Sequence, residues 1–472
     1  MACFINKVKR LPDVLKTLKG FLSSRNYGST LFIAGNKATD TFAFLSPYLD
    51  FDRRFADLDK LKRDLDLRGF KIDAPELKET WDFYKYVDVN RRALEHRRME
   101  IGKRIEDLKK KKELTQGEEK EIVALKIQGK VLKQDLKMIK DALWDLEDSV
   151  VLRALKLPND IDDRTPKDVP LVLKIVGENS NLPENERQSH LEIGRNLGLL
   201  KYANPLKCYL CNDAAVFELS ALAFSADILR EDMIRIAGLD FGRSIVLEGS
   251  GLNHEDPTES FILANNSKIE RNSHSRIHLV GGASLVSFLT MHAKQLINSN
   301  NFPLRYFATG RQYTPFPHET AHVGLFTVCQ SSAAYAFSMV KVSGSEEYQA
   351  EFENLLRKTI QIYERLGIHY RIVMRSASEL RSWESLRVSF EIWSTFNQQY
   401  VEVGFISACG DFISKRLLIA FQTKNGRDFP GVISGTILSV PRLLACLMEQ
   451  NPQNFVIPEC IKKYMERQNI VN

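Results

Sequence analysis

The chain has 472 residues, long enough for two or three domains with a large core. Its 44% hydrophobic and 27% charged residues are ordinary for a globular protein and exclude a largely disordered one. The formal net charge of +6 permits a polyanionic partner without requiring one.

The cysteine pattern argues against a disulfide-rich protein, and the lengths of the apolar runs argue against a membrane-spanning helix. Seven cysteines, an odd number, are scattered along the chain and do not form a disulfide framework. Cys208 and Cys211 form the one Cys-x-x-Cys pair, with no second pair or histidine doublet to complete a zinc site, so we predict two core thiols. No apolar run reaches the roughly 18 residues of a membrane-spanning helix.

Residues 1–28 differ from the rest of the chain in charge. They contain six basic residues and a single acid, Asp13. Apolar residues recur there at helical spacing: Leu11, Val14, Leu15, Leu18, Phe21 and Leu22. A basic, acid-poor amphipathic start predicts a mitochondrial transit peptide, with a surface helix as the alternative. The reducing matrix suits unpaired cysteines.

Residues 29–156 are predicted to form a helical lead-in and an antiparallel coiled-coil hairpin. The first arm places Val87, Leu94, Ile101 and Leu108 seven residues apart. The second arm fills two heptad positions: Ile122, Leu136, Leu143 and Val150, then Leu125, Leu132, Ile139 and Leu146. Apolar positions held over four heptads predict coiled-coil helices, and the glycine-containing break at 114–117 predicts a hairpin.

The first arm carries an excess of positive charge. Between residues 91 and 112, ten bases accompany four acids. The candidate phosphate-binding residues are Arg91, Arg92, Arg97, Arg98, Lys103, Arg104, Lys109 and Lys110. Such an excess on a projecting hairpin favours salt-dependent contacts that do not read bases, whereas the alternative is a merely solvated face.

The remainder divides into a linker and a large globular domain. Residues 157–188 are rich in Pro, Asp and Asn and predict a linker with one mostly apolar run, 169–176. Within 189–472, predicted helices at 217–237 and 346–366 alternate with β-rich runs at 370–374, 388–393, 399–406 and 417–423. Few βαβ repeats occur, so the predicted fold class is α+β with an antiparallel sheet.

The segment 431–453 has the strongest local signature. Gly435 permits a close backbone approach, and Pro441 suits the first turn of a helix. Arg442 follows at the start of an apolar helical run, where a guanidinium could reach a phosphate. A buried helix with a surface arginine is the alternative.

This segment resembles motif 3 of class II aminoacyl-tRNA synthetases, the seryl enzymes in particular. The order of hairpin, linker and α+β domain is also similar to that family over residues 48–465. Further local resemblances are Leu67-Arg68-Gly69, Ser189-His190-Leu191, Phe390-Glu391-Ile392-Trp393, Tyr400-Val401-Glu402-Val403 and Phe455-Val456-Ile457-Pro458-Glu459. The resemblance implies a class II synthetase-like antiparallel sheet after the hairpin.

The resemblance also implies a catalytic site whose charges are mostly missing. Gly282 and Ser284 stand where the family has the Thr and Glu that read the serine amine. Thr314 and Phe316 replace the Arg and Glu that open motif 2. The second half of motif 2, 324–331, keeps its frame without its Arg and His, and Ala333 and Tyr335 replace the Lys and Glu that follow.

Glu391, Glu402 and Arg442 remain as vestigial ATP-site positions. Loss of one charge-stabilising donor typically costs about 10²–10³ in rate, so we predict no catalytic residues, no bound metal and no cofactor. Replacement of buried charges by neutral residues also predicts a small gain in stability.

Together, these features predict a catalytically degenerate paralogue of mitochondrial seryl-tRNA synthetase in the matrix. The resemblance implies binding of tRNA(Ser) and association with the genuine mitochondrial seryl-tRNA synthetase as a heterodimer, or with itself as a homodimer. The motif 1 proline of the family interface has no counterpart in 241–245, so that choice stays open. The alternatives are an active ligase with a remodelled site and a scaffold that no longer binds tRNA.

Overall fold

The computed structural model describes residues 29–32, 47–48, 50–111, 115–179, 182–263, 276–315 and 324–469. The predicted transit peptide, 1–28, lies outside these residues, as does Phe316 of motif 2. The chain forms two compact units. The first contains residues 51–62 and 71–157, and the second contains 63–70 and 158–472.

Helices occur in both units. They are α1 (Phe51–Ala56), α2 (Leu58–Leu67), α3 (Ala74–Lys109), α4 (Gln116–Leu155), α5 (His190–Asn196), α6 (Asp213–Leu229), α7 (Ser244–Ser250), α8 (Leu285–His292), α9 (Glu346–Leu366), α10 (Phe412–Leu417), α11 (Val440–Gln450) and α12 (Glu459–Asn469). None of the described helices is long and apolar enough to cross a membrane.

Helices α3 and α4 form the predicted antiparallel hairpin. Both starts are capped: Asp73 accepts from the amide of Glu76, and Thr115 forms a reciprocal capping box with Glu118. Ten of the twelve predicted heptad residues are buried, and Leu94 and Leu125 are partly exposed. The buried ones are Val87, Ile101, Leu108, Ile122, Leu132, Leu136, Ile139, Leu143, Leu146 and Val150. Ion pairs join the helices in opposite order along the chain: Glu76–Arg153 (3.0 Å), Glu95–Lys140 (3.0 Å) and Arg104–Glu121 (2.9 Å). The hairpin prediction is confirmed.

The second unit is built on an eight-stranded sheet of described residues. Its strands are β1 (Leu171–Val176), β4 (Ile234–Arg235), β9 (Leu304–Tyr313), β10 (Gln330–Val340), β11 (Tyr370–Met374), β12 (Leu386–Ser394), β13 (Gln399–Gly410) and β16 (Gly431–Ser439). Their order in the sheet is β1-β11-β12-β13-β16-β10-β9-β4. Neighbouring strands are antiparallel except β4 and β9. This confirms the predicted α+β class with an antiparallel-dominated sheet.

Smaller sheets flank the main one. They contain β2 (Leu200–Asn204), β3 (Lys207–Leu210), β5 (Phe241–Arg243), β6 (Phe261–Leu263), β7 (Ile277–Leu279), β8 (Leu296–Ile297), β14 (Ala420–Thr423) and β15 (Gly426–Asp428). The core of the unit is a cluster of fully buried apolar residues from α6, α9, α11 and the main sheet, among them Phe217, Phe352, Phe390 and Leu444. Burial of this apolar face is the main force that holds helices to sheet.

The segment predicted as a linker, 157–188, carries part of this sheet. Its apolar run forms β1, an edge strand that pairs antiparallel with β11. The side chains of β1 are mostly exposed on both faces, so the strand lacks the alternation that normally marks a half-buried strand.

The segment 431–453 is a strand followed by a helix, β16 and α11. A Cβ added to Gly435 would lie 2.0 Å from the carbonyl oxygen of Phe405, so the close backbone approach inferred from sequence is present. Pro441 lies in the first turn of α11, as predicted.

Candidate functional site

A cavity of about 300 Å³ lies over the main sheet of the second unit. Strands β9, β10, β13 and β16 contribute to its walls, together with the segment 279–286. Its ionisable and polar lining residues include Glu259, Gln312, Tyr335, Arg381, Glu402, Ser434, Thr436 and Arg442. Of the three vestigial ATP-site positions, Glu402 and Arg442 line the cavity and Glu391 does not.

Arg442, at the start of α11, is held by backbone carbonyls. Its Nη1 donates to the carbonyl oxygen of Glu402 (2.8 Å), and its Nε donates to that of Phe326 (3.2 Å). Burial lowers the pKa of Arg442, and the charge of Glu402 opposes that shift. The guanidinium therefore joins α11 to β13 and to the second half of motif 2.

Glu402 is engaged by two side chains of β12. Its carboxylate accepts from Arg387 Nη2 (2.7 Å) and from the hydroxyl of Ser389. Burial by itself would raise the pKa of Glu402, but Arg387 and Ser389 bring it down to about 2. The carboxylate is thus ionised at neutral pH, and its charge is matched within the protein.

Arg387 also binds a second buried carboxylate. Its Nη1 donates to Glu384 (2.8 Å), which accepts from the Ser407 hydroxyl as well (2.6 Å). The Arg387 guanidinium lies 3.8 Å from the centre of the Phe405 ring. Glu384, Arg387 and Glu402 form a chain of alternating charges beneath the cavity, called below the Glu–Arg–Glu network.

This network corrects one expectation from the sequence. Neutral residues do stand at positions 282, 284, 314 and 335, but the site as a whole has not exchanged buried charge for apolar packing. The missed residues are Arg381, Glu384 and Arg387, and their one sequence signal is the spacing Arg-x-x-Glu-x-x-Arg just before an apolar strand. The small gain in stability expected from the neutral positions stays a prediction.

Glu391 lies opposite Glu402 in the register of β12 and β13, and Arg375 lies between the two carboxylates, 3.7 Å from that of Glu402. Its carboxylate accepts from Arg371 Nε (2.6 Å) and from Arg375 Nη2. The guanidinium carbon of Arg371 in turn lies 3.8 Å from the centre of the Tyr400 ring. Glu391 is thus an ion-paired residue of the sheet.

The position of the serine-amine reader has a different local structure. A Cβ on Gly282 would lie 2.8 Å from the carbonyl oxygen of Gly238, so a threonine there would require the backbone to move. Ser284 is the N-cap of α8, and its hydroxyl donates to the carbonyl of Gly281 (2.6 Å). This segment supplies a turn and a helix cap, with no carboxylate.

A buried histidine explains why motif 2 keeps its frame. The amide of Leu325 donates to His190 Nε2 (3.0 Å), while His190 Nδ1 lies 2.6 Å from Glu449 of α11. Gly324 has a φ of +94°, and a Cβ there would lie 2.2 Å from His190 Nε2. His190 therefore fixes the Gly324-Leu325 turn to the motif 3 helix without taking part in charge stabilisation.

The residues of the cavity do not fit a divalent metal ion. Hard cations such as Mg²⁺ prefer carboxylate oxygens, and the Glu402 carboxylate is occupied by Arg387 and Ser389. Across the described part of the chain, no group of three or more His, Cys, Asp or Glu residues is placed to hold a metal.

The candidate phosphate-binding residues of the hairpin fall into two groups. Four have ion-pair partners within the hairpin: Arg91 with Asp88 and Glu95, Arg92 with Asp88, Arg104 with Glu121, and Lys110 with Glu106. The other four are exposed and lack an ion-pair partner among the described residues: Arg97, Arg98, Lys103 and Lys109. All eight lie on α3 or at its end. The four residues of the second group, called below the exposed cations of α3, lie on different sides of this helix because their spacings of one, five and six residues do not follow the helical repeat.

Known proteins resemble this chain over most of its length. Residues 269–451 match the family described as tRNA synthetase class II core domain (G, H, P, S and T). The chain is 29% identical over 441 residues to the serine–tRNA synthetase-like protein Slimp of Drosophila melanogaster, covering 90% of this chain and 89% of that protein. It is 25% identical over 441 residues to the mitochondrial serine–tRNA ligase of Mus musculus, covering 89% and 83%.

The fold is found in solved structures as well. The seryl-tRNA synthetase of Pyrococcus horikoshii, crystallised with ATP, superimposes with a TM-score of 0.75 at 18% identity and covers 89% of this chain and 98% of that one. Residues 269–451 thus match the class II aminoacyl-tRNA synthetase core, and the fold is that of a seryl-tRNA synthetase. Along most of its length the chain is similar to mitochondrial serine–tRNA ligases and to a synthetase-like relative of theirs, in agreement with its motifs.

Proposed function

We propose that the protein is a non-catalytic seryl-tRNA synthetase-like protein of mitochondria that binds tRNA(Ser). The observation that carries this proposal is the state of Glu402, whose carboxylate is held by Arg387 and Ser389 inside the site. Serine activation brings two anions together, so it needs free cationic and metal-binding groups at the point of reaction. Here the retained groups are bound to each other or to backbone carbonyls, and positions 282 and 284 supply no carboxylate.

The purified protein is expected to show no serine-dependent exchange of pyrophosphate into ATP. Each missing charge-stabilising donor typically costs about 10²–10³ in rate, and several are missing together. The assay is run beside a genuine mitochondrial seryl-tRNA synthetase at equal concentration, with the network variant Glu402→Gln as a further sample. Exchange within about tenfold of the genuine enzyme would overturn the proposal in favour of an active ligase with a remodelled site.

The tRNA-binding part of the proposal is supported by the exposed cations of α3. Arg97, Arg98, Lys103 and Lys109 project from a capped hairpin, and none has an ion-pair partner among the described residues. Cations of this kind bind phosphates through charge and do not distinguish bases. Selection of tRNA(Ser) would then depend on the shape of the RNA.

We further propose a dimer, with the genuine mitochondrial seryl-tRNA synthetase or with a second copy of this chain. It is supported by the segment 234–241, which begins in the edge strand β4 of the main sheet. This segment exposes three large apolar side chains, Ile234 (61%), Leu239 (61%) and Phe241 (54%). Apolar surface exposed close together in sequence is typical of protein–protein interfaces.

The double variant Leu239→Glu/Phe241→Glu is expected to separate the protein from its partner. Two charges buried in an apolar interface cost several kcal/mol, enough to weaken association by about 100-fold or more. The protein, expressed alone and together with the mitochondrial seryl-tRNA synthetase, is examined by native mass spectrometry. Leu206→Glu/Tyr209→Glu is the matched control, because these two residues are at least as exposed and lie on a different hairpin of the same unit. Equal effects of both variants would contradict an interface at 234–241.

The proposal of a mitochondrial matrix location rests on two observations. Residues 1–28 have the charge pattern of a transit peptide, and the relatives include mitochondrial serine–tRNA ligases of Mus musculus and Bos taurus.

A further inference from the structure

A row of exposed apolar side chains, called here the α4 stripe, runs along the second helix of the hairpin. Its members are Val123 (56% exposed), Ile127 (61%), Val131 (51%) and Met138 (59%). Their spacings of four, four and seven residues keep them on one side of the helix. They take the outer b, c and f positions of the heptad whose a and d residues are buried, so the stripe faces away from α3.

Helix formation does not account for the α4 stripe. Valine and isoleucine are weaker helix formers than the alanine, lysine or glutamate that an exposed position accepts. A single exposed apolar side chain would need no explanation, but four of them in one row along about 22 Å of helix form a continuous surface. Such a surface is typical of a contact with another molecule.

The two flanks of the α4 stripe differ in charge. One flank carries four exposed lysines at spacings of four, three and four residues, without an ion-pair partner among the described residues: Lys126, Lys130, Lys133 and Lys137. The g positions on the other flank hold no base: Glu121, Gln128, Asp135 and Ala142. The outer face of α4 is therefore apolar in the middle, basic on one side, and neutral or acidic on the other.

This asymmetry favours a helix of another protein as the occupant of the face. A flat anionic membrane would contact both flanks and bring Glu121 and Asp135 next to its headgroups. Helices that lie in a membrane interface also carry Trp, Phe or Leu on their apolar side, and the α4 stripe contains none of these. In an antiparallel pair of two copies, the two lysine rows would lie against each other. The amphipathic segment 1–28 of the same chain is basic, so its charge does not suit the lysine row either.

We propose that the outer face of α4 binds an amphipathic helix of a partner protein, one with acidic residues along the edge of its apolar side. The apolar side chains of that helix would cover the α4 stripe, and its carboxylates would pair with the lysine row. The lysines would fix the orientation of the partner and its specificity more than its affinity. This surface goes beyond the proposed function, because tRNA is assigned to the exposed cations of α3 and the dimer to the segment 234–241.

Binding of a synthetic helix to the full chain, followed by fluorescence anisotropy, tests the proposal. The probe is a labelled peptide of about three heptads, with leucine at a and d, glutamate at e and g, and glutamine elsewhere. A second peptide with lysine in place of glutamate is the control for charge. The glutamate peptide is expected to bind at least about tenfold more tightly than the lysine peptide. Changing Lys126, Lys130, Lys133 and Lys137 to glutamine is expected to remove that preference.

The double variant Ile127→Gln/Val131→Gln tests the apolar contact. It is expected to weaken binding of the glutamate peptide by about tenfold or more, because two apolar side chains are lost from the contact. Glutamine is a better helix former than either residue, so this variant keeps the fold. Val89→Gln/Met99→Gln on α3 is the matched control: these side chains are at least as exposed (63% and 61%), and the variant should bind like the unmodified chain.

Four results would overturn the proposal. Equal binding of the two peptides, or unchanged affinity in Ile127→Gln/Val131→Gln, would show that α4 does not bind an acidic helix. Pelleting of the chain with phosphatidylglycerol vesicles that this variant abolishes would assign the stripe to a membrane. Loss of a dimer in the same variant, seen by native mass spectrometry, would assign it to a second copy. None of these results bears on the pyrophosphate exchange assay, so the two proposals fail separately.

Discussion

Arg387→Met is expected to lower the free energy of unfolding by about 3–5 kcal/mol near neutral pH. Arg387 pairs with two carboxylates at once, the buried Glu384 (0% exposed side chain) and the partly buried Glu402. Methionine keeps much of the length of the side chain, but it leaves Glu384 without its ion-pair partner and Glu402 with only the longer pair to Arg375 (3.7 Å). The measurement is urea or guanidinium denaturation of the full chain.

The pH dependence of the stability lost in Arg387→Met gives a second test of the Glu–Arg–Glu network. In the intact protein the pKa of Glu402 is about 2 and that of Glu384 is also lowered, although burial by itself would raise both. Depressed carboxyl pKa values stabilise the fold above the pKa of the unfolded chain, and this contribution is lost as the pH falls toward 2. Without Arg387, burial dominates and both pKa values rise. The difference between variant and intact protein should therefore shrink as the pH falls from 7 to about 4.

A compensated variant serves as the control. Adding Glu384→Gln and Glu402→Gln to Arg387→Met removes the unmatched charges and should restore about half or more of the lost stability, because neutral groups cost less to bury than unpaired ions. Arg357→Met, on the exposed face of α9, should change stability by less than about 0.5 kcal/mol. A loss in Arg387→Met no larger than that of Arg357→Met would show that the network is not a stabilising element.

The sequence predicts those parts of the fold that depend on regular spacing. The seven-residue repeat of α3 and α4 specifies the hairpin, because a and d residues must face a partner helix. Helix α9 begins and ends where the sequence places it, at Glu346 and Leu366, since a serine cap precedes it and Gly367 follows. Strand β1 was assigned to a linker because an exposed edge strand lacks the alternation that reveals the others.

From the sequence, only the absence of the family's charged residues at the site could be predicted. Motif comparison shows that Gly282 and Ser284 cannot act as a threonine and a glutamate, but it does not show which residues approach Glu402. Arg387 reaches Glu402 diagonally across two strands whose register shifts between Phe390 and Glu391, so no spacing in the sequence encodes the pair. The same holds for His190, because its two hydrogen-bond partners, Leu325 and Glu449, are each more than a hundred residues away in the sequence.

Neutralising the exposed cations of α3 is expected to weaken tRNA binding by at least about tenfold. The variant carries Arg97→Gln, Arg98→Gln, Lys103→Gln and Lys109→Gln in one chain. Each cation that contacts a phosphate releases about one counterion, so the slope of log affinity against log salt should fall by up to about 4. The loss should be similar for tRNA(Ser) and for a tRNA of another identity, because phosphate contacts carry no base information. Affinity is measured by fluorescence anisotropy over a salt series.

The returning helix of the same hairpin provides a matched control. Lys126, Lys130, Lys133 and Lys137 of α4 are exposed and likewise without an ion-pair partner among the described residues. Their change to glutamine removes the same charge from the same hairpin, so a purely long-range effect of net charge would weaken binding equally in both variants. Binding that depends on α3 requires a larger loss of affinity and slope from the α3 variant. If neither variant alters the affinity, the hairpin is not the tRNA surface, and the proposed function reduces to a scaffold that no longer binds tRNA through this element.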